Sequence, residues 1–120
     1  MTVHDELQAR EPLFHRPELG TTRADLEAMT GEDYWEIGAS GRRYDRGFVI
    51  DVLLDRYARA EPDDWAVDGF ATRPLGPATH LATYTLTQGD RVTRRATVWE
   101  RTATGWRALY HQGTVVTPDP

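Results

Sequence analysis

The chain has 120 residues and a net charge of −5, and it contains no Cys, no Lys and no Asn, so all of its fourteen Lys-or-Arg positions are Arg. The missing residues exclude disulfides, thiolate nucleophiles, cysteine-ligated metal sites and lysine Schiff bases. A net acidic chain repels phosphate backbones, and the doublets Arg42–Arg43 and Arg94–Arg95 are too small for a basic patch, so we expect no nucleic-acid partner.

The N-terminal segment is predicted to be an amphipathic helix. Val3, Leu7, Leu13 and Phe14 recur near the 3.6-residue period of a helix with one apolar face. Pro12 interrupts this pattern, so that either one helix kinks there or a second helix begins with Pro12 in its first turn. We favour a single kinked helix.

A second helix is predicted to begin after Thr22. Thr22 and Asp25 have the spacing of a capping box, in which the hydroxyl and the carboxylate each accept a bond from a free backbone amide. Leu26 and Met29 supply the buried side, and Gly31 is expected to end the helix.

The segment DYWEIGASGRRY predicts a short hairpin. Tyr34, Trp35 and Ile37 favour a strand, residues 39–41 can reverse the chain, and residues 42–44 form the returning strand.

Asp45 is expected to cap a third helix. The apolar stripe of this helix is expected to face a sheet and consists of Phe48, Val49, Val52, Leu53 and Tyr57. Pro62 and the acidic residues around it are expected to close this helix.

The second half of the chain is rich in Thr, Val, Tyr and Trp. Four runs with strand character are separated by turn signals at Gly76–Pro77, Gly89–Asp90 and Thr104–Gly105, and such short connections favour antiparallel neighbours. The order of elements predicts an α+β protein, with three helices covering one face of a curved, mostly antiparallel sheet. The length and the absence of a linker indicate one domain over residues 1–120.

Three strings carry a resemblance to a known family: EIGASGRRYDR at residues 36–46, RRATVW at 94–99 and YHQGT at 110–114. In this order, over residues 3–116, the chain resembles the nuclear transport factor 2 superfamily, and within it the bacterial branch known as domain of unknown function 4440, close to the SnoaL-like proteins. The resemblance implies a cystatin-like cone with a pocket, and a homodimer formed through the outer face of the sheet. It implies no cofactor, and it does not select a chemistry, because that superfamily holds both enzymes and binding modules.

Glu36 is the first candidate site residue, because a carboxylate is out of place among strand-forming apolar residues unless it faces a pocket or a partner. The resemblance offers Arg95 as its cation. If the two meet, breaking the pair would cost about 3–5 kcal/mol. The pair could equally serve only to hold the sheet to its hairpin.

His111 and Tyr84 are the other candidate catalytic residues, as a general acid or base and a hydroxyl donor. Adjacent strand residues point to opposite faces, so at most one of His111 and Gln112 faces the pocket. The alternative role for His111 is that of a hydrogen-bonded structural residue, and the alternative for Tyr84 is packing in the core. The candidate ligand-binding residues are Arg95, Thr97 and Trp99, which share one strand face, together with Gln112 and Trp35.

A metal site and a hydroxyl-nucleophile site have little support in the sequence. The four histidines, His4, His15, His80 and His111, lack metal-binding spacing, and Ser40 lies in a turn. No segment approaches the ~20 apolar residues that span a bilayer, so we expect no membrane association. The acidic N-terminus lacks an apolar signal core, which predicts a cytoplasmic protein.

Three functions remain open: a binding protein for an unknown small molecule, a cofactor-independent acid/base enzyme acting on a hydrophobic substrate, and a protein-interaction module. An open pocket in which Glu36, Arg95 and a His or Tyr converge would favour the first two. A cone filled by side chains would favour the third.

Overall fold

A computed structural model describes residues 1–60 and 62–120. Its helices are α1 (Val3–Gln8), α2 (Arg23–Ala28) and α3 (Arg46–Arg59), with a 3-10 turn at Pro17–Leu19. Its strands are β1 (Thr30–Ile37), β2 (Arg43–Asp45), β3 (Ala66–Pro74), β4 (Thr79–Gln88), β5 (Arg91–Thr102) and β6 (Gly105–Val115). They form one six-stranded sheet in the order β2-β1-β6-β5-β4-β3. Every neighbouring pair is antiparallel except β1 and β6, which are parallel. The predicted α+β architecture is confirmed.

Two predicted helix starts are confirmed by their caps. Thr22 and Asp25 form the complete capping box at the start of α2. The Asp45 carboxylate accepts a bond of 2.8 Å from the amide of Phe48 at the start of α3. The prediction that Gly31 ends α2 is wrong. α2 ends at Ala28, and Gly31 is part of β1, where a Cβ would lie 2.9 Å from the side chain of Leu109.

The prediction of one kinked helix through Pro12 is also wrong. α1 ends at Gln8, and Pro12 lies in the loop that follows it. The residue before a proline is disfavoured in helical conformation, and that residue, Glu11, is buried with its carboxylate in the core. The loop therefore replaces the second half of the predicted helix.

The stripe predicted on α3 is correct for Val49 and Leu53, which are buried together with Ile50. It is wrong for Phe48 and Val52, whose exposed fractions are 52% and 46%. The helix packs one side against the sheet, while these two residues stand at the rim of a cavity.

α3 ends at Arg59, and Ala60 takes a left-handed backbone with φ 49°. The predicted role of Pro62 and its acidic neighbours in ending the helix involves Glu61, which lies outside the described residues.

The core lies between the helices and the concave face of the sheet. Trp99 and Trp106 are its largest side chains, with exposed fractions of 1% and 6%. The buried cluster consists of Leu7, Leu13, Leu26, Tyr34, Val49, Ile50, Leu53, Ala82, Trp99, Trp106 and Ala108. Within residues 1–60 and 62–120, no helix is long and apolar enough to cross a membrane.

Candidate functional site

Strand register brings distant residues together at one end of the concave face. In the parallel pairing of β1 with β6, Glu36 lies opposite His111, and His111 lies opposite Thr97 on β5. Two residues before Thr97 on β5, Arg95 lies opposite Tyr84 on β4 and opposite Gly113 on β6. These contacts join residues up to 75 positions apart, as Glu36 and His111 are in the sequence.

A cavity of about 600 Å³ opens above this part of the sheet, between β1, β5, β6 and α3. Glu36, Arg95 and His111 all line it. The other polar side chains on its walls are His15, Ser40, Arg56, Gln88 and Arg91. Its apolar wall consists of Leu13, Phe14, Tyr44, Phe48, Val49, Val52 and Leu53. The cone is therefore not filled by its own side chains at this end.

His111 is held in one orientation by two neighbours. Its Nε2 lies 3.3 Å from Nη1 of Arg95, and its Nδ1 lies 2.7 Å from the Thr97 hydroxyl. A guanidinium can only donate, so Nε2 accepts and Nδ1 carries the proton. Burial lowers the pKa of His111 to about 3, with repulsion from Arg95 and His15 adding to the effect. The ring is therefore neutral near pH 7.

Glu36 contacts Tyr34 and not Arg95. The Tyr34 hydroxyl donates a bond of 2.7 Å to Oε1 of Glu36. In the described part of the chain Glu36 forms no ion pair, so the bidentate pair considered from the sequence does not form, although Arg95 lines the same cavity. Burial raises the pKa of Glu36, while the Tyr34 hydrogen bond and the charges of Arg95 and Arg56 oppose that rise.

Glu11 is a central residue that sequence reasoning missed. It is 1% exposed, and its Oε1 accepts bonds of 2.7 Å from the amide of Leu13 and from the hydroxyl of Tyr84. Its Oε2 accepts the indole N–H of Trp99 at 3.1 Å. Burial raises the pKa of the Glu11 carboxyl, and the surrounding donors act in the opposite direction. A signal was available, because Glu11 continues the four-residue spacing of Val3 and Leu7 on an apolar helix face.

This carboxyl group accounts for the positions of three candidate site residues. Tyr84 and Trp99 are buried and bonded to Glu11, and the buried Thr97 interacts with both His111 and the same carboxyl group. None of these three lines the cavity of about 600 Å³. They belong to the buried core on the same side of the sheet.

The remaining two candidates, Trp35 and Gln112, lie on the outer face of the sheet. The Trp35 ring packs against Tyr110 with 4.5 Å between ring centroids, and the guanidinium of Arg43 lies 4.5 Å from the Trp35 ring. Gln112 is exposed and accepts a bond of 2.5 Å from the Tyr110 hydroxyl. His111, and not Gln112, is the member of that pair that faces the cavity.

His15 is a second residue that the sequence did not single out as functional. It lines the cavity, and its Nδ1 donates a bond of 2.7 Å to Oδ2 of Asp63. Burial lowers the pKa of His15, and the Asp63 carboxylate opposes that change. Its partner lies 48 positions away, beyond the reach of local pattern reading.

The loop that carries His15 is fixed by its neighbour Phe14. Phe14 has a left-handed backbone with φ 71°, an uncommon conformation for a bulky residue. Its carbonyl accepts a 2.6 Å bond from the Tyr57 hydroxyl, and its ring meets Tyr34 edge to face at 5.9 Å. These contacts hold the cavity wall in one shape.

Among the described residues, no group of three or more His, Asp or Glu side chains is placed to hold a metal ion.

No protein-family model matches this sequence, and none of the curated proteins does. Solved structures do match. A nuclear-transport-factor-2-like protein from Cytophaga hutchinsonii has a TM-score of 0.76 at 14% identity, covering 97% of this chain and 100% of its own. A protein with a cystatin-like fold from Caulobacter vibrioides has a TM-score of 0.74 at 16% identity, covering 96% and 90%.

A third similar structure is a nuclear-transport-factor-2-like protein of unknown function in nutrient uptake from Rhodospirillum rubrum. Its TM-score is 0.69 at 14% identity, and the match covers 94% of each chain. At such identities the likeness establishes the fold alone. This chain therefore has the nuclear-transport-factor-2-like, cystatin-like α+β fold that its sequence predicts.

Proposed function

We propose that this protein binds a small molecule in the cavity between α3 and the concave face of the sheet. One observation carries the proposal: the cone is open at the end where Glu36, Arg95 and His111 converge. A cavity of about 600 Å³ is within the usual range for ligand pockets, of roughly 300–1,000 Å³. A pure interaction module would have no need of such a space.

The polar groups have partners that hold them in place before any ligand arrives. Thr97 and Arg95 hold the His111 ring, and Tyr34 holds the Glu36 carboxyl group. Such preorganisation lowers the entropy cost of binding. The apolar wall supplies contact area, and the few polar groups fix the orientation of the ligand.

Filling the cavity tests the proposal. Val52→Trp places an indole at the cavity rim, and Val115→Trp is the matched control, because Val115 is 50% exposed and does not line the cavity. Ligand-observed NMR on a small-molecule library should find compounds that lose binding in Val52→Trp and keep it in Val115→Trp. A library in which no compound responds to Val52→Trp would contradict the proposal.

An acid/base enzyme is the second candidate, and the raised pKa of Glu36 on the cavity wall favours it. Glu36 would exchange the proton. His111 would stay neutral and position the substrate. Tyr84 would act only through Glu11, which accepts a hydrogen bond from its hydroxyl group. A pH–rate profile with an acid limb that Glu36→Gln abolishes would support catalysis. Binding without turnover leaves the first proposal.

We propose a homodimer formed through the outer face of the sheet. Its support is the half-buried aromatic pair of Trp35 and Tyr110 on that face, and an aromatic patch of this kind is typical of interfaces. Sedimentation velocity should give a dimer that Trp35→Glu dissociates. Leu75→Glu is the control, because Leu75 is 54% exposed in the turn after β3. A wild-type monomer at high concentration would contradict the dimer.

We further propose that the chain is one domain belonging to the bacterial branch close to the SnoaL-like proteins, and that it works in the cytoplasm without a cofactor. The three strings at residues 36–46, 94–99 and 110–114 support the branch. A single cooperative unfolding transition would support one domain. Fluorescence microscopy of the tagged protein tests the location.

A further inference from the structure

The charge of the cavity is opposite to that of the whole protein. Its lining includes three guanidinium groups, those of Arg56, Arg91 and Arg95, and a single carboxyl group, that of Glu36. The whole chain carries a net charge of −5. Positive side chains are therefore concentrated at this cavity in a protein that is otherwise acidic.

These arginines lack a carboxylate partner. In the part of the chain that the structure describes, the side chains of Arg56 and Arg91 make no hydrogen bond or ion pair. The Arg95 side chain bonds only to neutral groups, the Thr93 hydroxyl at 2.9 Å and His111 at 3.3 Å. Elsewhere the same chain pairs arginines with carboxylates. Examples are Arg23 with Asp51, Arg94 with Asp119, Arg101 with Glu6, and Arg107 with Glu100.

The Glu36 carboxyl group lines the same cavity and attracts Arg95, but one carboxyl group cannot balance three guanidinium groups. Burial lowers the pKa of Arg95 and repulsion from Arg91 acts in the same direction, while Tyr84, Glu36 and Glu11 oppose that change. The cavity wall therefore keeps an excess of positive charge, and an anion entering the cavity would relieve the repulsion between the guanidinium groups.

Arg95 is positioned by a glycine. The side chain of Arg95 lies against Gly113, where a Cβ would come within 3.1 Å of its Cζ and Nε atoms. Thr93 and His111 occupy its Nε and Nη1, and its Nη2 has no hydrogen-bond partner among the described residues. The planar guanidinium group of Arg95 therefore keeps N–H donors without a protein partner, and its rigid geometry suits a planar oxyanion.

The other half of the cavity is apolar and accessible. Phe48 and Val52 line it while remaining 52% and 46% exposed, which is unusual for large apolar side chains on a helix that packs against a sheet. They present an apolar surface beside the guanidinium groups. A ligand that fits both halves has an anionic head and an apolar body.

We propose that the cavity binds a small amphipathic carboxylate, with its head group on Arg95, Arg91 and Arg56 and its apolar body on Phe48 and Val52. This inference rests on the proposed binding function and names the ligand class. A carboxylate is favoured over a phosphate because the Glu36 side chain in the same cavity repels a second negative charge on the ligand.

Matched acid and amide probes test the ligand class, because each pair differs in charge and hardly in shape. Isothermal titration calorimetry is performed with 2-naphthoate against 2-naphthamide, and octanoate against octanamide. At least one acid should bind about tenfold more tightly than its amide. Its affinity should fall as the salt concentration rises.

Substitution of single arginines locates the head group. Arg91→Gln and Arg56→Gln should each weaken binding of the acid about tenfold and leave the amide unaffected. Arg73→Gln is the control, because Arg73 is exposed on β3 and does not line the cavity. Unchanged melting temperatures establish that the variants are folded.

The outcomes distinguish a failure of the inferred ligand class from a failure of the proposed small-molecule binding. If the amides bind as tightly as the acids, and Val52→Trp abolishes both, the cavity binds ligands but the inferred charge preference is wrong. If 2-naphthyl phosphate binds more tightly than 2-naphthoate, the carboxylate assignment is wrong. If no probe binds and the library also yields no ligand, both the inference and the proposed function fail.

Discussion

Acidification is expected to destabilise the protein through His111. This side chain is 5% exposed, neutral and held between Arg95 and Thr97. Its pKa is about 3 in the folded protein, against an ordinary value of 6.5. Above pH 6.5 the ring is neutral in both the folded and the unfolded states, so it does not make stability depend on pH. Below pH 6.5 the unfolded chain takes up a proton that the folded protein refuses, and the free energy of unfolding falls.

The size of the effect follows from the two pKa values. Each pH unit between them costs about 1.4 kcal/mol, so His111 alone removes about 2 kcal/mol of stability between about pH 8 and about pH 5. The raised pKa values of Glu11 and Glu36 act in the opposite direction, because the folded protein holds those protons more tightly than the unfolded chain does. The lowered pKa of His15 acts in the same direction as His111.

The contribution of His111 is therefore isolated by comparing the wild type with His111→Gln, in which an amide takes the place of the ring between Arg95 and Thr97. Urea unfolding, followed by tryptophan fluorescence, gives the free energy of unfolding of both proteins across this pH range. The difference near pH 8 measures the packing cost of the substitution. It should shrink by about 2 kcal/mol near pH 5. Parallel curves for the two proteins would refute a buried, neutral His111.

The remaining predictions concern stability. Glu11→Gln leaves a buried indole N–H facing an amide N–H, or else breaks the bonds to Oε1. It should lower the free energy of unfolding by about 1–3 kcal/mol in urea titrations. The exposed Glu32→Gln should change this free energy little, and an equal loss in both variants would contradict the assigned network. Asp45→Ala removes the cap of α3 and should cost about 1 kcal/mol by thermal unfolding, with an unchanged melting temperature as the contrary result. Gly20→Ala forces a Cβ onto a residue with φ 120° and into the capping box of α2, so a loss of about 1–3 kcal/mol is expected; a stabilised variant would count against the described backbone.

Short-range signals predicted the elements well. Asp45 and Thr22 cap their helices through bonds to amides three residues away, so each cap can be read from a few adjacent letters. The β-rich second half follows from alternation and turn residues that act over two to four positions. The same alternation placed Arg95, Thr97 and Trp99 on one face of a strand, which is the concave face.

Predictions failed where a distant contact overrides a local pattern. Pro12 was expected inside a helix, yet the loop around it lets Glu11 reach Tyr84 and Trp99, which lie 73 and 88 positions away. Phe48 continued the apolar stripe of α3, but the sheet covers only part of that helix and leaves Phe48 at the cavity rim.

The sequence by itself determined the α+β class, the order of elements and a set of residues able to carry charge or protons, because hydrogen bonding and periodicity along one element are local. Only the tertiary structure decided which of those residues meet. The parallel register of β1 with β6 places Glu36 opposite His111 and turns Trp35 outward. The packing of α3 leaves the space that they line together with Arg95. No tight turn joins β1 to β6, so their register, like the packing of α3, depends on contacts between residues far apart in the chain.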